Sequence, residues 1–165
     1  MGFDMITSIY RRNKETKQYE KLSFYDKEGN ELFEIFPSRD GMLNQLLLGY
    51  NRQGFDFEPI GARRGVPEWY VDMLKEENPS WFDNNDGWNY NPDEGTYYDY
   101  LELRGWAQGD VCNHRDWASE EADENYTPTR NPLKDFMRLI GVYLKAYNIY
   151  CFKPGDVIII CEMSY

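Results

Sequence analysis

Histidine is nearly absent from this sequence, since His114 stands alone, and cysteine occurs only at Cys112, Cys151 and Cys161. An odd cysteine count without metal-type spacing argues against a disulfide framework and for reduced thiols. No stretch approaches the roughly 20 apolar residues that a membrane helix requires. The opening Met1-Gly2-Phe3-Asp4-Met5 carries an acid where an export segment would be apolar, and Ile6 stands where a myristoylation motif needs Ser or Thr. The expectation is a cytoplasmic chain without a membrane partner. A phosphate-cradling glycine loop, a nucleophile elbow and a CxxC pair are also missing. Standard nucleotide-binding and hydrolase mechanisms therefore lack their parts, and no cofactor is expected.

Basic residues are scarce in the middle of the chain. Residues 72–124 hold 15 acids against Lys75, Arg104 and Arg115, a net of −12, whereas the whole chain carries −11. The flanks are therefore close to neutral. This asymmetry repels phosphate backbones and attracts basic surfaces, so a basic protein, and not nucleic acid, is the expected direct partner. What the chain does have is aromatic residues, 17% of the total, which bury large apolar area even where mean hydropathy is low. At 165 residues it fits one domain, 1–165, with the acidic aromatic segment inside it.

Element order follows from pattern and punctuation. Phe3 to Arg11, Tyr19 to Tyr25 and Glu31 to Phe36 are rich in β-formers and separated by polar turns, which predicts an antiparallel meander. Asp40 is placed to cap a short buried helix through Met42 to Leu48, with Gly49 as its stop. Pro67 opens an amphipathic helix carrying Trp69, Tyr70, Met73 and Leu74. Residues 79–95 have loop composition, as do Asp110 to Arg130. Between them Thr96 to Leu103 carries both a helix start and strand-like alternation, and the reading favours helix. Leu133, Phe136, Met137, Ile140, Leu144 and Tyr147 recur at three and four residues, the mark of a long amphipathic helix. Val157 to Cys161 is an apolar run suited to the middle of a sheet. The predicted class is α+β: an antiparallel sheet of N-terminal strands plus the C-terminal strand, the long helix on one face, and a long irregular acidic insertion.

Several constellations invite chemistry. Cys112-Asn113-His114-Arg115-Asp116 has too few soft ligands for zinc, and a loop histidine is the favoured reading over a metal site or a Cys–His pair. Asp83, Asn85 and Glu94 fall at positions one, three and twelve of a calcium-loop window, but Trp88 stands where glycine is required. No metal site is therefore expected. Carboxylate pairs beside Trp and Tyr resemble sugar-cleaving sites, yet nothing isolates a proton donor among so many acids. Arg63-Arg64-Gly65, with Arg11, Arg12 and Arg39, offers an anion site unless these arginines pair with the protein's own surplus acids. Trp81, Phe82, Trp88, Tyr90, Tyr97, Tyr98, Tyr100, Trp106 and Trp117 form either a partner-binding surface steered by carboxylates or a core beneath a wet exterior. Both readings stay open at this point.

Short motifs in order also resemble a family of uncharacterised phage and prophage proteins that begin Met-Gly-Cys-Asp-Ile-His, here Met1-Gly2-Phe3-Asp4-Met5-Ile6. Arg39 to Gly49 is similar to the family's Arg-Asn-Tyr-x-Leu-Phe-x-x-Leu-x-Gly, and Ala62 to Pro67 to its Pro-Arg-Gly-Leu-Pro. Asp156-Val157-Ile158-Ile159-Ile160 resembles its closing strand. The family's His-Ser-His-Ser-Trp stretch has become Asp86-Gly87-Trp88-Asn89-Tyr90, so any metal binding by those histidines is lost here. The resemblance implies a phage accessory protein in the cytoplasm of an infected bacterium. Three functions follow as expectations. The first is a non-enzymatic binder of a host or phage protein, with inhibition of a nucleic-acid-binding defence system as its specific form, acting through Asp83, Asp86, Trp88, Tyr90, Asp93, Glu94, Tyr97 and Tyr98. The second is a metal-assisted hydrolase or nucleotide-binding enzyme with Asp4, Arg39, Arg64 and His114 in one pocket. The third is a virion or assembly component, which would form a homo-oligomer.

Overall fold

A computed structural model of the chain describes residues 4–32, 36, 40–49, 60, 64–84, 87–108, 132–150 and 153–164. His114, Arg39 and Asp86 lie outside them. The architecture is α+β, with an antiparallel sheet that joins N-terminal strands to the C-terminal strand. Strand β1 (Asp4–Arg12) pairs with β2 (Tyr19–Lys21) on one side and with β6 (Val157–Ser164) on the other, and β6 in turn pairs with β5 (Gly95–Asp99). The order is β2-β1-β6-β5, all antiparallel.

The sheet has two buried faces because β6 is apolar at successive positions. Val157, Ile159 and Cys161 enter the larger core, while Ile158 and Ile160 enter a smaller one beside Tyr10 and Tyr70. Alternation along a strand places these two sets on opposite faces. Helices α1 (Gly41–Leu48), α3 (Tyr100–Gln108) and α4 (Pro132–Ala146) contribute to the larger core, and α2 (Glu68–Glu77) covers the other face. The long helix is thus on one face as expected, and a second helical layer lies opposite.

Helix α4 forms where its periodicity predicts, because Leu133, Phe136, Ile140 and Leu144 fall on one stripe and are at most 1% exposed. Each such burial stabilises by about 1.5–3 kcal/mol. In α1, Asp40 accepts a hydrogen bond from Leu43 N at 3.2 Å, and Gly49 adopts the left-handed conformation (φ 74°) that ends the helix.

Two elements depart from expectation. The meander does not continue into a third strand of the main sheet. Leu22 N makes a last bond to Ile9 O, and the chain then turns so that Phe24 packs on Tyr143 of α4 and on Tyr147 just past its end. Strands β3 (Phe24–Tyr25) and β4 (Glu31–Leu32) form a separate two-stranded hairpin. The helix favoured from Thr96 instead begins at Tyr100, after β5. Thr96 and Tyr98 are fully buried on the larger-core face, and the Asp99 carboxylate accepts from Leu101 N at 2.8 Å, so the capping signal is used one turn later. The acidic segment therefore supplies an edge strand of the sheet. No helix among the described residues is long and apolar enough to cross a membrane.

Ile140→Ala, at a position with no exposed surface, should lower stability by about 2–5 kcal/mol through a cavity in the larger core. Val142→Ala, one turn face away and 60% exposed, should stay within about 0.5 kcal/mol of the parent. Urea midpoints followed by circular dichroism test the pair.

Candidate functional site

Continuing the β6 alternation past Ile160 puts Glu162 on the α2 face, opposite Ile6 of β1 and Gly95 of β5. A carboxylate following Ile158 and Ile160 beneath the covering segments requires donors. Tyr70, buried on α2, donates its hydroxyl to Glu162 Oε2 at 2.6 Å, and the Tyr90 hydroxyl donates to Oε1. Burial, reinforced by Glu162, pushes both tyrosines well above their usual value of 10.0, so they remain protonated donors. Tyr10 is raised too, by burial first and then by Glu162 and Glu77.

Gly95 makes room for this arrangement. A Cβ there would lie 2.7 Å from Val66 Cγ1 and 3.1 Å from both Cys161 O and Glu162 Cγ. Only the absence of a side chain lets the 64–67 segment press against the strand.

The connection between α2 and β5 folds into a compact wall above Glu162. A 3-10 turn spans Pro79–Phe82, Tyr90 N bonds to Trp81 O at 2.8 Å, and a second turn, Pro92–Glu94, is capped by the Asn91 side chain on Asp93 N at 3.0 Å. Gly87 adopts φ 71°, which reverses the chain before Trp88. Trp81 then meets Trp88 edge to face (6.0 Å, 81°) and lies nearly parallel to Tyr90 (6.4 Å, 20°). The result is a cleft of about 350 Å³, lined by Ile6, Trp81, Trp88, Tyr90, Glu94 and Glu162 among others. Trp88 is 54% exposed at its rim.

The cleft gathers Trp88, Tyr90 and Glu94 from the predicted binding residues. Asp83 and Asp93 are exposed on the turns that build the wall. Tyr97 is half-buried on the α2 face beneath the Arg64 guanidinium, 5.8 Å from its ring centroid. Tyr98 requires correction as a surface residue. It is 1% exposed on the opposite face, where its hydroxyl donates to Leu47 O at 2.7 Å and Ile60 O at 3.2 Å.

Of the alternative pocket, only Asp4 and Arg64 are described. Asp4 starts β1 opposite Ser164. Arg64 is held by Glu102 through two hydrogen bonds, one of them Nη1 to Oε2 at 2.8 Å, and so serves the protein's own acids. Among the described residues no three His, Cys, Asp or Glu side chains group to hold a metal ion. Cys161 is buried, and burial pushes its thiol up to about 12, which leaves it unreactive at neutral pH.

Glu162, Tyr70 and Ile6 were not singled out in the sequence. The usable signal was an acid continuing an apolar strand on the face of Ile158 and Ile160.

Tyrosines raised in the folded state hold their protons while those of the unfolded chain ionise near 10.0. Stability should therefore be level below about pH 9 and fall as pH climbs past about 10. Tyr70→Phe should reduce that fall and cost about 1–3 kcal/mol at neutral pH, because Glu162 loses a donor. Urea midpoints taken across this range for the parent and the variant check both statements.

Comparison of the chain with protein-family models, curated proteins and solved structures finds no match, so the likeness to phage proteins rests on its short motifs alone.

Proposed function

We propose that this protein is a binding module that captures a basic protein surface through the cleft and the acidic residues around it. The observation that carries this reading is the convergence of Trp81, Trp88 and Tyr90 with two carboxylates, Glu94 and Glu162, around one cavity. Aromatic faces and carboxylates both attract cations, and Trp and Tyr are the residues that most often anchor interfaces. Asp83 and Asp93, exposed on the turns beside the cleft, add negative charge that favours a basic partner over nucleic acid.

A second groove supports the same reading. It has a volume of about 720 Å³ and lies between α2 and the turn before β2, where Trp69 stacks on Tyr19 at 4.2 Å and Asp72, Glu76 and Glu77 line the wall. Acid and aromatic character thus recur along the α2 side. The resemblance to phage proteins adds the biological setting of this proposal: an accessory protein in the cytoplasm of an infected bacterium, blocking a nucleic-acid-binding defence protein by occupying its basic surface.

A lysine-rich peptide and a glutamate-rich control serve as first probes. The lysine peptide should bind, and the interaction should weaken with added salt. Charge reversal at Asp83, Asp93 and Glu94 together should weaken it by at least about tenfold. Isothermal titration at two ionic strengths measures this, and equal affinity in the charge-reversed protein would end the proposal. Affinity capture with the parent and the reversed protein in parallel would then identify the physiological partner.

A further inference from the structure

The cleft supplies negative potential from Glu94 and Glu162, and part of its acceptor capacity is already used. Both oxygens of Glu162 already accept from tyrosine hydroxyls, Oε2 from Tyr70 and Oε1 from Tyr90. Trp81 and Trp88 present aromatic rings set at 81° to one another, a corner of two walls, and Ile6 adds an apolar edge. A simple ammonium entering here would leave water, lose strong hydrogen bonds, and recover only part of them. A methylated ammonium has little or no hydrogen-bonding demand, keeps its charge, and spreads it over methyl groups that fit against ring faces.

The aromatic cluster already attracts one cation of the protein itself. Lys75 Nζ lies 5.5 Å from the centroid of Phe82, whose ring packs 5.5 Å from that of Tyr90. The cavity, about 350 Å³, falls in the range of small-ligand sites, about 300–1,000 Å³, and exceeds what one methylated head group fills.

Building on the reading of the cleft as a cation site, we infer that its preferred occupant is a trimethylated lysine side chain in a basic protein segment. Trp81, Trp88 and Tyr90 provide the cage, with Glu94 and Glu162 providing the charge. The acidic surroundings of the cleft favour a lysine within a basic segment over a free small quaternary amine.

The test titrates the whole protein with two otherwise identical lysine-containing peptides, one trimethylated and one unmethylated, and follows tryptophan fluorescence and heat. The trimethylated peptide should bind at least about tenfold tighter, with a difference that survives added salt. Trp88→Ala should remove the preference and Trp88→Phe should retain part of it. Trp88 is half exposed, so both variants should keep the parent's urea midpoint. Equal or weaker binding of the trimethylated peptide overturns this inference while leaving the capture of a basic partner intact. Failure of both peptides overturns the two together. Free choline binding as tightly as the trimethylated peptide overturns the assignment to a protein side chain.

Discussion

The central position of β6 is the constraint on which the rest of the molecule depends. From Ile158 to Glu162 it is paired on both edges, by β1 and by β5, and its side chains must satisfy two different cores at once. Val157, Ile159 and Cys161 serve the helices α1, α3 and α4, while Ile158 and Ile160 serve α2. A shift of register by one residue would exchange the two sets and turn Glu162 into the larger core. The same alternation that fills both cores therefore also fixes the face on which Glu162 emerges.

That carboxylate organises the candidate site in turn. A charge beneath the covering segments is tolerated only with donors, and the two tyrosines that supply them come from different parts of the chain, one from α2 and one from the loop after it. Satisfying Glu162 thus draws the loop against the sheet and brings Trp81 and Trp88 over it. The shape of the cleft is a by-product of polar satisfaction. The helix Glu68–Glu77 and the aromatic wall are coupled through one side chain, so the cleft is set by α2 as much as by its own loop.

Much of the fold is legible in the sequence because local signals and tertiary demand agree. The stripe from Leu133 to Leu144, the Asp40 cap with Gly49, and the apolar run from Val157 all read directly from spacing and residue type. Legibility fails where long-range contacts choose between local options. Phe24 leaves the meander because α4 offers it aromatic partners, and Thr96 to Asp99 extends because β6 needs a second edge. The site was half legible. Trp88, Tyr90 and Glu94 stand out by composition and do converge, whereas Tyr98 shares their composition and faces the other way, since aromatic content alone does not reveal direction. Glu162 was hidden because its partners are distant in sequence.

The pairing of β1 with β6 has a consequence for how the protein comes into being. Ile6 and Glu162 sit side by side on one sheet, yet belong to strands far apart in sequence. During vectorial synthesis β1 must remain without its main neighbour until the residues between the two strands and β6 itself have been made, and such non-local pairing is slow to form. The cleft, which takes part of its floor from each of these strands, consequently cannot form before β6 is available. A partially made chain would display acidic and aromatic residues without the geometry that joins them.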